Sequence, residues 1–208
     1  MKKSLHNIIK KYIMNIHKIT DHMTRNKIFI IGFNKTGTRT LHKYFAWNGI
    51  MSIHHSRGLL ARTIHKNRNK RNMLGKFCIF KVYSDMEDVT EQNYAHVTYF
   101  KKLDRKYPDS KFILNIRNVD NWINSRNNHG TYTQRCCKIL NLTKEEINKK
   151  WRNDFYNHKN NVIKYFSDKP NKLLIFDIEK DSVQKINDFF PELQLNSKFY
   201  KHVGKTSK

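Results

Sequence analysis

The run KIFIIGFNKTGTRT, residues 27–40, decides how this chain is read. Residues 27–33 form a dense β-type stretch in which Ile28, Phe29, Ile30 and Ile31 follow one another without a polar break. Asn34, Lys35, Thr36, Gly37 and Thr38 come next, and a helical pattern occupies residues 39–47. A strand that turns tightly into a helix leaves several backbone N–H groups converging, with the positive end of the helix dipole behind them. That is a ready seat for an anion. Working outward, short apolar runs at residues 50–54, 76–83, 111–117 and 172–177 predict further strands. Helical patterns at 58–66, 92–107, 121–127, 144–166 and 181–190 predict helices between them, with stops at Pro108 and Pro191. Short apolar strands alternating with helices argue for a parallel sheet covered on both faces. The predicted fold class is therefore α/β, a three-layer doubly wound domain around a central parallel sheet. No internal repeat or linker divides it, so one domain is expected over residues 23–208.

Composition narrows the class. The 208 residues are 38% hydrophobic and 28% charged, which suits a polar globular chain. Three cysteines, two of them adjacent, exclude a multi-disulfide scaffold, and no Cys/His spacing suggests a zinc site. Cys136 and Cys137 have basic neighbours that could lower a thiol pKa, but a buried structural role is the simpler reading. The net charge of +24 invites a nucleic-acid partner. The sequence is also rich in Lys, Asn and Ile, the residues an AT-rich coding sequence favours, and its basic residues are spread along the chain. The charge is therefore read as compositional drift plus an anionic ligand, and nucleic acid is not expected. No apolar run is long enough for a membrane span. At residues 1–22, Ile8, Ile9, Tyr12, Ile13, Ile16 and Ile19 recur at helical spacing among Lys and His. This amphipathic basic helix lacks the apolar core of a signal peptide. It is expected to dock on its own domain, with weak membrane-surface contact as the alternative, and the expected location is cytoplasmic.

The loop itself departs from a Walker A loop in an informative way. Gly32 and Gly37 keep the spacing of its two glycines, but Thr38 stands where Walker A has Lys and Arg39 where it has the metal-holding hydroxyl. The lysine has moved to position 35. A loop with its own Lys and Arg and no such hydroxyl neutralises an anion with protein charge, which suits a donor that reacts without metal.

Residues 34–38 resemble the 5′-phosphosulfate loop of sulfotransferases that use 3′-phosphoadenosine 5′-phosphosulfate (PAPS). Arg39 departs from that pattern, where Thr or Ser is more usual. A second resemblance supports the first: those enzymes hold the 3′-phosphate with an Arg at the end of a buried strand and a Ser eight residues later. Arg117 ends the 111–117 run and Ser125 stands eight residues on. The stretch 107–114 also resembles the family's lead-in to that strand, and residues 201–205 resemble its C-terminal basic segment, in which Lys205 would reach the 3′-phosphate. The resemblance implies a P-loop NTPase-like sulfotransferase fold and transfer of a sulfuryl group from PAPS to a hydroxyl or amine, leaving 3′-phosphoadenosine 5′-phosphate. It implies donor contacts from Lys35, Thr36, Gly37, Thr38, Arg39, Thr40, Arg117, Ser125 and Lys205, with no metal. Lys35 would stabilise the departing oxygen.

A general base is needed to deprotonate the acceptor. Asp85, after the 76–83 run, is the first candidate, and His54 or His55, after the second strand, is the next. Glu87 and Asp88 read as a pair in the first turn of a helix. Trp122 and Trp151 read as core rather than as platforms for adenine. The acceptor, a carbohydrate or small molecule, would be chosen by loops at 56–75 and 130–149. Two other functions remain open. One is a P-loop kinase, for which Asp177 is the nearest metal-binding candidate. The other is a non-catalytic protein that binds polyanions through its surface charge.

Overall fold

The computed structural model describes residues 26–203. The helix expected at 1–22 and the residue Lys205 lie outside the described residues. Five parallel strands make the main sheet: β1 (Ile28–Ile30), β2 (Ser52–His54), β3 (Val82–Ser84), β6 (Lys111–Ile116) and β7 (Leu173–Asp177). Their order across the sheet is β2-β3-β1-β6-β7, so β1 lies at the centre, paired with β3 on one side and β6 on the other. The chain builds one half of the sheet and then crosses β1 to build the other. In open α/β sheets the crevice at the carboxyl end of such a reversal is where ligands bind.

Side chains alternate across β1. Ile28 and Ile30 pack on one face with Leu41, Tyr44 and Phe45 of α1 (Thr38–Trp47) and Ile186 of α8 (Gln184–Phe189). Phe29 and Ile31 pack on the other face with Leu60 and Ile64 of α2 (Leu59–Lys66). Ala95 of α3 (Ala95–Thr98), Phe100 and Leu103 of α4 (Phe100–Lys106), and Val162 and Phe166 of α7 (Lys144–Phe166) complete that face. Burial on both faces explains why the strands read as unbroken apolar runs. A third cluster caps the carboxyl edge, around Trp122 of α5 (Val119–Asn127), Tyr132 and Cys136 of α6 (Tyr132–Leu140), and Trp151 and Phe155 of α7. Both tryptophans are core, as expected. Cys136 is buried, and that burial raises its thiol pKa rather than lowering it. No described helix is long and apolar enough to cross a membrane.

Four expectations are corrected. The apolar run 76–83 is a strand only at its end: residues Gly75–Phe77 form a 3-10 turn, and the strand is Val82–Ser84. Side chains, not a ladder, reach the carbonyls of residues 77, 78 and 80. Lys27 Nζ donates to the Cys78 and Phe80 carbonyls at 2.6 and 2.8 Å, and the Tyr83 hydroxyl to those of Phe77 and Phe80 at 2.8 and 2.7 Å. Glu87 and Asp88 are not a helix start but β4 (Glu87–Asp88), antiparallel to β5 (Asn93–Tyr94). The helix expected at 92–107 is two helices, α3 and α4, broken at Tyr99, whose φ is −118°. The loop expected at 130–149 contains α6, while the helix expected at 144–166 is α7, its start fixed by a capping box between Thr143 and Glu146.

Candidate functional site

Every strand of the main sheet ends on one cavity of about 1300 Å³. Residues 34–40 line it after β1, His54 to Arg57 after β2, Asp85 after β3, Arg117 after β6, and Ile178 and Glu179 after β7. Helix α5 adds Asn121, Asn124 and Ser125. The sequence candidates from four separate stretches of chain therefore meet in one place.

The loop after β1 is held by a side chain from β6. Asn115 accepts from the Gly32 amide at 2.8 Å and donates to the Thr36 carbonyl and hydroxyl at 2.9 and 2.7 Å. A Cβ at Gly32 would lie 2.0 Å from the Asn115 carbonyl oxygen, so only glycine permits this approach. Gly37 has φ +87°, and a Cβ there would meet Ile178 at 1.7 Å. Lys35 is also left-handed, with φ 64°. Left-handed residues in such a loop turn neighbouring amides to the same side. Gly37 caps α1 with no side-chain hydrogen bond, and no acidic residue stands in the first turn. The helix's first amides have no intrahelical acceptor, so the loop presents uncapped donors beside Lys35. Burial, then Arg117 and Arg39, lower the Lys35 pKa, against the opposing pull of Asp85.

Two residues of this loop do other work than expected. Thr36 is fully buried, and its hydroxyl donates to the Phe33 carbonyl at 2.5 Å, so it shapes the loop rather than facing the cavity. The Thr40 hydroxyl accepts from the Val203 amide at 3.1 Å. That bond brings the tail back over α1, with Tyr200 edge-on to Tyr44, and places His202 and Val203 on the cavity wall. Arg39 is exposed at the cavity mouth, while Gly37 and Thr38 line it.

Beside the loop, at the end of the neighbouring strand β6, Arg117 meets a carboxylate. Its Nε and Nη2 donate to Glu179 Oε1 at 2.9 and 2.5 Å, and its Nη1 to the Lys35 carbonyl at 3.3 Å. Glu179 also accepts from the Asn118 amide at 2.9 Å and from Asn121 Nδ2 at 3.2 Å. Burial alone would raise its pKa, but the Asn118 amide and Arg117 outweigh burial and hold it low. Ser125 lies one helical turn beyond Asn121 on the same face.

The two base candidates are neighbours, His54 Nε2 lying 3.3 Å from Asp85 Oδ2. His54 Nδ1 meets Ser84 Oγ at 3.0 Å, and its ring stacks on His42 at 5.4 Å. Burial, with His42 and His55 beside it, lowers the His54 pKa to about 3. Burial and the nearby Glu87 raise the Asp85 carboxyl well above its ordinary value, against Arg126 and Lys35. The low-dielectric pocket thus works against charge on either partner. Asp85 Oδ1 is buried with no hydrogen-bond partner among the described residues. The residue as a whole lines the cavity, so its carboxyl stands beside the space where an acceptor would bind. The rim beside it is unusual: His55, Ser56, Arg57 and Gly58 have φ of 53°, 51°, 53° and 78°, four consecutive left-handed residues.

Beneath the cavity lies a charged group that sequence reasoning missed. Arg126 is 1% exposed. Its Nε donates to Asn34 Oδ1 at 2.7 Å, and its Nη2 lies 3.7 Å from Glu87 Oε2. The Trp122 and Trp151 rings flank its guanidinium at 4.2 and 4.8 Å. Tyr132 donates to Glu87 Oε1 at 3.1 Å, and Trp122 Nε1 to the Asn34 carbonyl at 2.8 Å. This network ties the loop to α5 and α6. The spacing of Trp122 and Arg126, four apart on one helix face, was the available signal.

A family model described as a sulfotransferase domain matches residues 27–143, from the first strand through α6. No curated protein matches the chain.

Proposed function

The chain belongs to the sulfotransferase domain family, and from that membership and the arrangement of its cavity we propose that it moves a sulfuryl group from PAPS to a hydroxyl or amine of a carbohydrate or small molecule. The observation that carries this reading is the meeting of the residue 34–40 loop with Arg117 and Ser125 across one cavity. Two basic groups side by side at the ends of neighbouring strands suit a donor with phosphate groups at both its 5′ and 3′ positions. The donor supplies the reactive sulfur and a phosphate leaving group.

The chain's own groups then have distinct tasks. The amides of Gly37 and Thr38 hold the 5′-phosphate, and Lys35 offsets the charge that grows on the departing oxygen. Arg39 adds positive charge at the position where a kinase loop keeps its metal-binding hydroxyl, which is why we propose transfer without metal. Arg117 offers a planar fork to the 3′-phosphate, and Ser125 a hydroxyl. Asp85, beside His54, takes the proton from the acceptor.

Calorimetric titration with 3′-phosphoadenosine 5′-phosphate, without Mg²⁺, tests the donor site. Wild type is expected to bind it, and Arg117→Ala to bind it at least ~30-fold more weakly, the usual consequence of truncating one partner of a charge-assisted pair. Binding of ATP·Mg²⁺ in its place would return the chain to the kinase reading. Lys35→Ala is expected to keep most of the affinity for this product and to lose ~10²–10³ in turnover, since its charge matters most in the transition state. Equal losses in both measurements would make Lys35 a simple binding residue.

A further inference from the structure

Glu179 is an acidic residue of the cavity that the proposed chemistry does not use. It sits on the cavity wall, at the place where a 3′-phosphate would need to be held. Four donors converge on its carboxylate: Arg117 Nε and Nη2, the Asn118 amide and Asn121 Nδ2. One is a guanidinium fork, and another is a backbone amide at the start of α5. These are the groups that bind a phosphate, and here they hold a carboxylate of the chain itself. Lys35 and Arg39 of the neighbouring loop add positive charge to the same cavity.

We propose that Glu179 is a resident counter-anion, seated in the cradle of the donor's 3′-phosphate and displaced when the donor binds. The proposal rests on the donor reading above. A phosphate dianion and a carboxylate do not share one guanidinium fork without strong repulsion. Binding of the 3′-phosphate therefore swings Glu179 out to solvent, a short movement for a side chain already about a quarter exposed. Release of the product lets it return. Glu179 thus sets how much the 3′-phosphate contributes to affinity, and it weakens retention of the spent nucleotide, whose two phosphates would otherwise bind tightly to so basic a cavity. A ligand that lacks the 3′-phosphate leaves the pair undisturbed.

The test compares 3′-phosphoadenosine 5′-phosphate with adenosine 5′-monophosphate on wild type, Glu179→Gln and Arg117→Ala. The glutamine keeps an oxygen that accepts from Arg117 but loses the charge. Glu179→Gln is expected to bind the 3′-phosphorylated nucleotide about tenfold more tightly, with adenosine 5′-monophosphate unchanged. Unchanged or weaker binding of the 3′-phosphorylated nucleotide would overturn the proposal and make Glu179 a fixed brace for Arg117. If wild type prefers neither nucleotide and Arg117→Ala changes neither, the donor reading falls and the inference with it. Thermal melting checks that each variant folds. Glu179→Ser, which removes the carboxylate without adding bulk, carries the comparison should the glutamine variant fold poorly.

Discussion

Asp85→Asn is expected to lower turnover by ~10²–10⁴, the usual contribution of a positioned base, while raising the melting temperature. The two effects share one cause. Burial and Glu87 push the Asp85 carboxyl above its ordinary pKa, so its charged form is costly in the folded protein. A carboxylate held in that way is a stronger base than one in water. The sign for stability follows from linkage. The folded state holds this proton more tightly than the unfolded state. Stability is therefore lost as pH rises from the ordinary carboxyl range through the raised value, and the full cost is present above it. Asparagine keeps the shape and removes the charge. The gain in melting temperature is thus expected to be largest on the alkaline side and to fade toward pH ~4, below which the unfolded carboxyl is protonated too. In the parent, turnover falls as acid protonates the base, and the variant loses that limb. Melting curves over pH and turnover with any hydroxyl acceptor the parent uses would check both. Full activity in the variant would move the base to His54.

Arg126→Ala is expected to destabilise the fold by about 3–5 kcal/mol, read from urea unfolding. The guanidinium lies among the Phe33, Trp122, Tyr132 and Trp151 rings and faces the buried Glu87. Removing it opens a cavity and leaves a carboxylate with only neutral donors, the Tyr132 hydroxyl and the Asn34 amide, in an apolar surround. It also frees the Asn34 side chain, so the loop after β1 keeps only the Trp122 bond to the Asn34 carbonyl as its tie to α5. A double variant, Arg126→Met with Glu87→Gln, is expected to recover much of the loss, because it removes both charges and fills the space. A loss under 1 kcal/mol in the single variant would mean that the Arg126 guanidinium and its contacts carry little of the stability.

The sheet was legible because its strands are buried on both faces, and few local alternatives suit a run such as residues 28–31 or 111–116. The loop after β1 was legible for a different reason. A loop that must bring its backbone to an anion needs glycine at fixed places, and Gly32 and Gly37 mark them. The legible part ended where chemistry depends on distant partners. The run 76–83 has strand composition, yet Lys27 and Tyr83 draw its carbonyls away. Glu87 and Asp88 looked like a helix start because their partners, Arg126 and Arg62, are far away in sequence. Helix α6 is short, and only Tyr132, Thr133 and Cys136 of it are buried, so its apolar stripe is weak in sequence. Glu179 had only its place to mark it, two residues past the end of a strand at the carboxyl edge.

The left-handed rim at residues 55–58 has a practical consequence for redesign. Each non-glycine residue held in that conformation costs about 1–2 kcal/mol, and only Gly, Asn and Asp adopt it readily. A mutant library built to change acceptor choice would therefore draw on a very small alphabet at His55, Ser56 and Arg57. Val, Ile and Thr would be lost to misfolding before their chemistry was ever sampled. Across the cavity, Asn124 and Asn128, at the end of α5, and Arg135, within α6, stand on right-handed backbone that accepts most side chains. New specificity is more accessible to selection from that side.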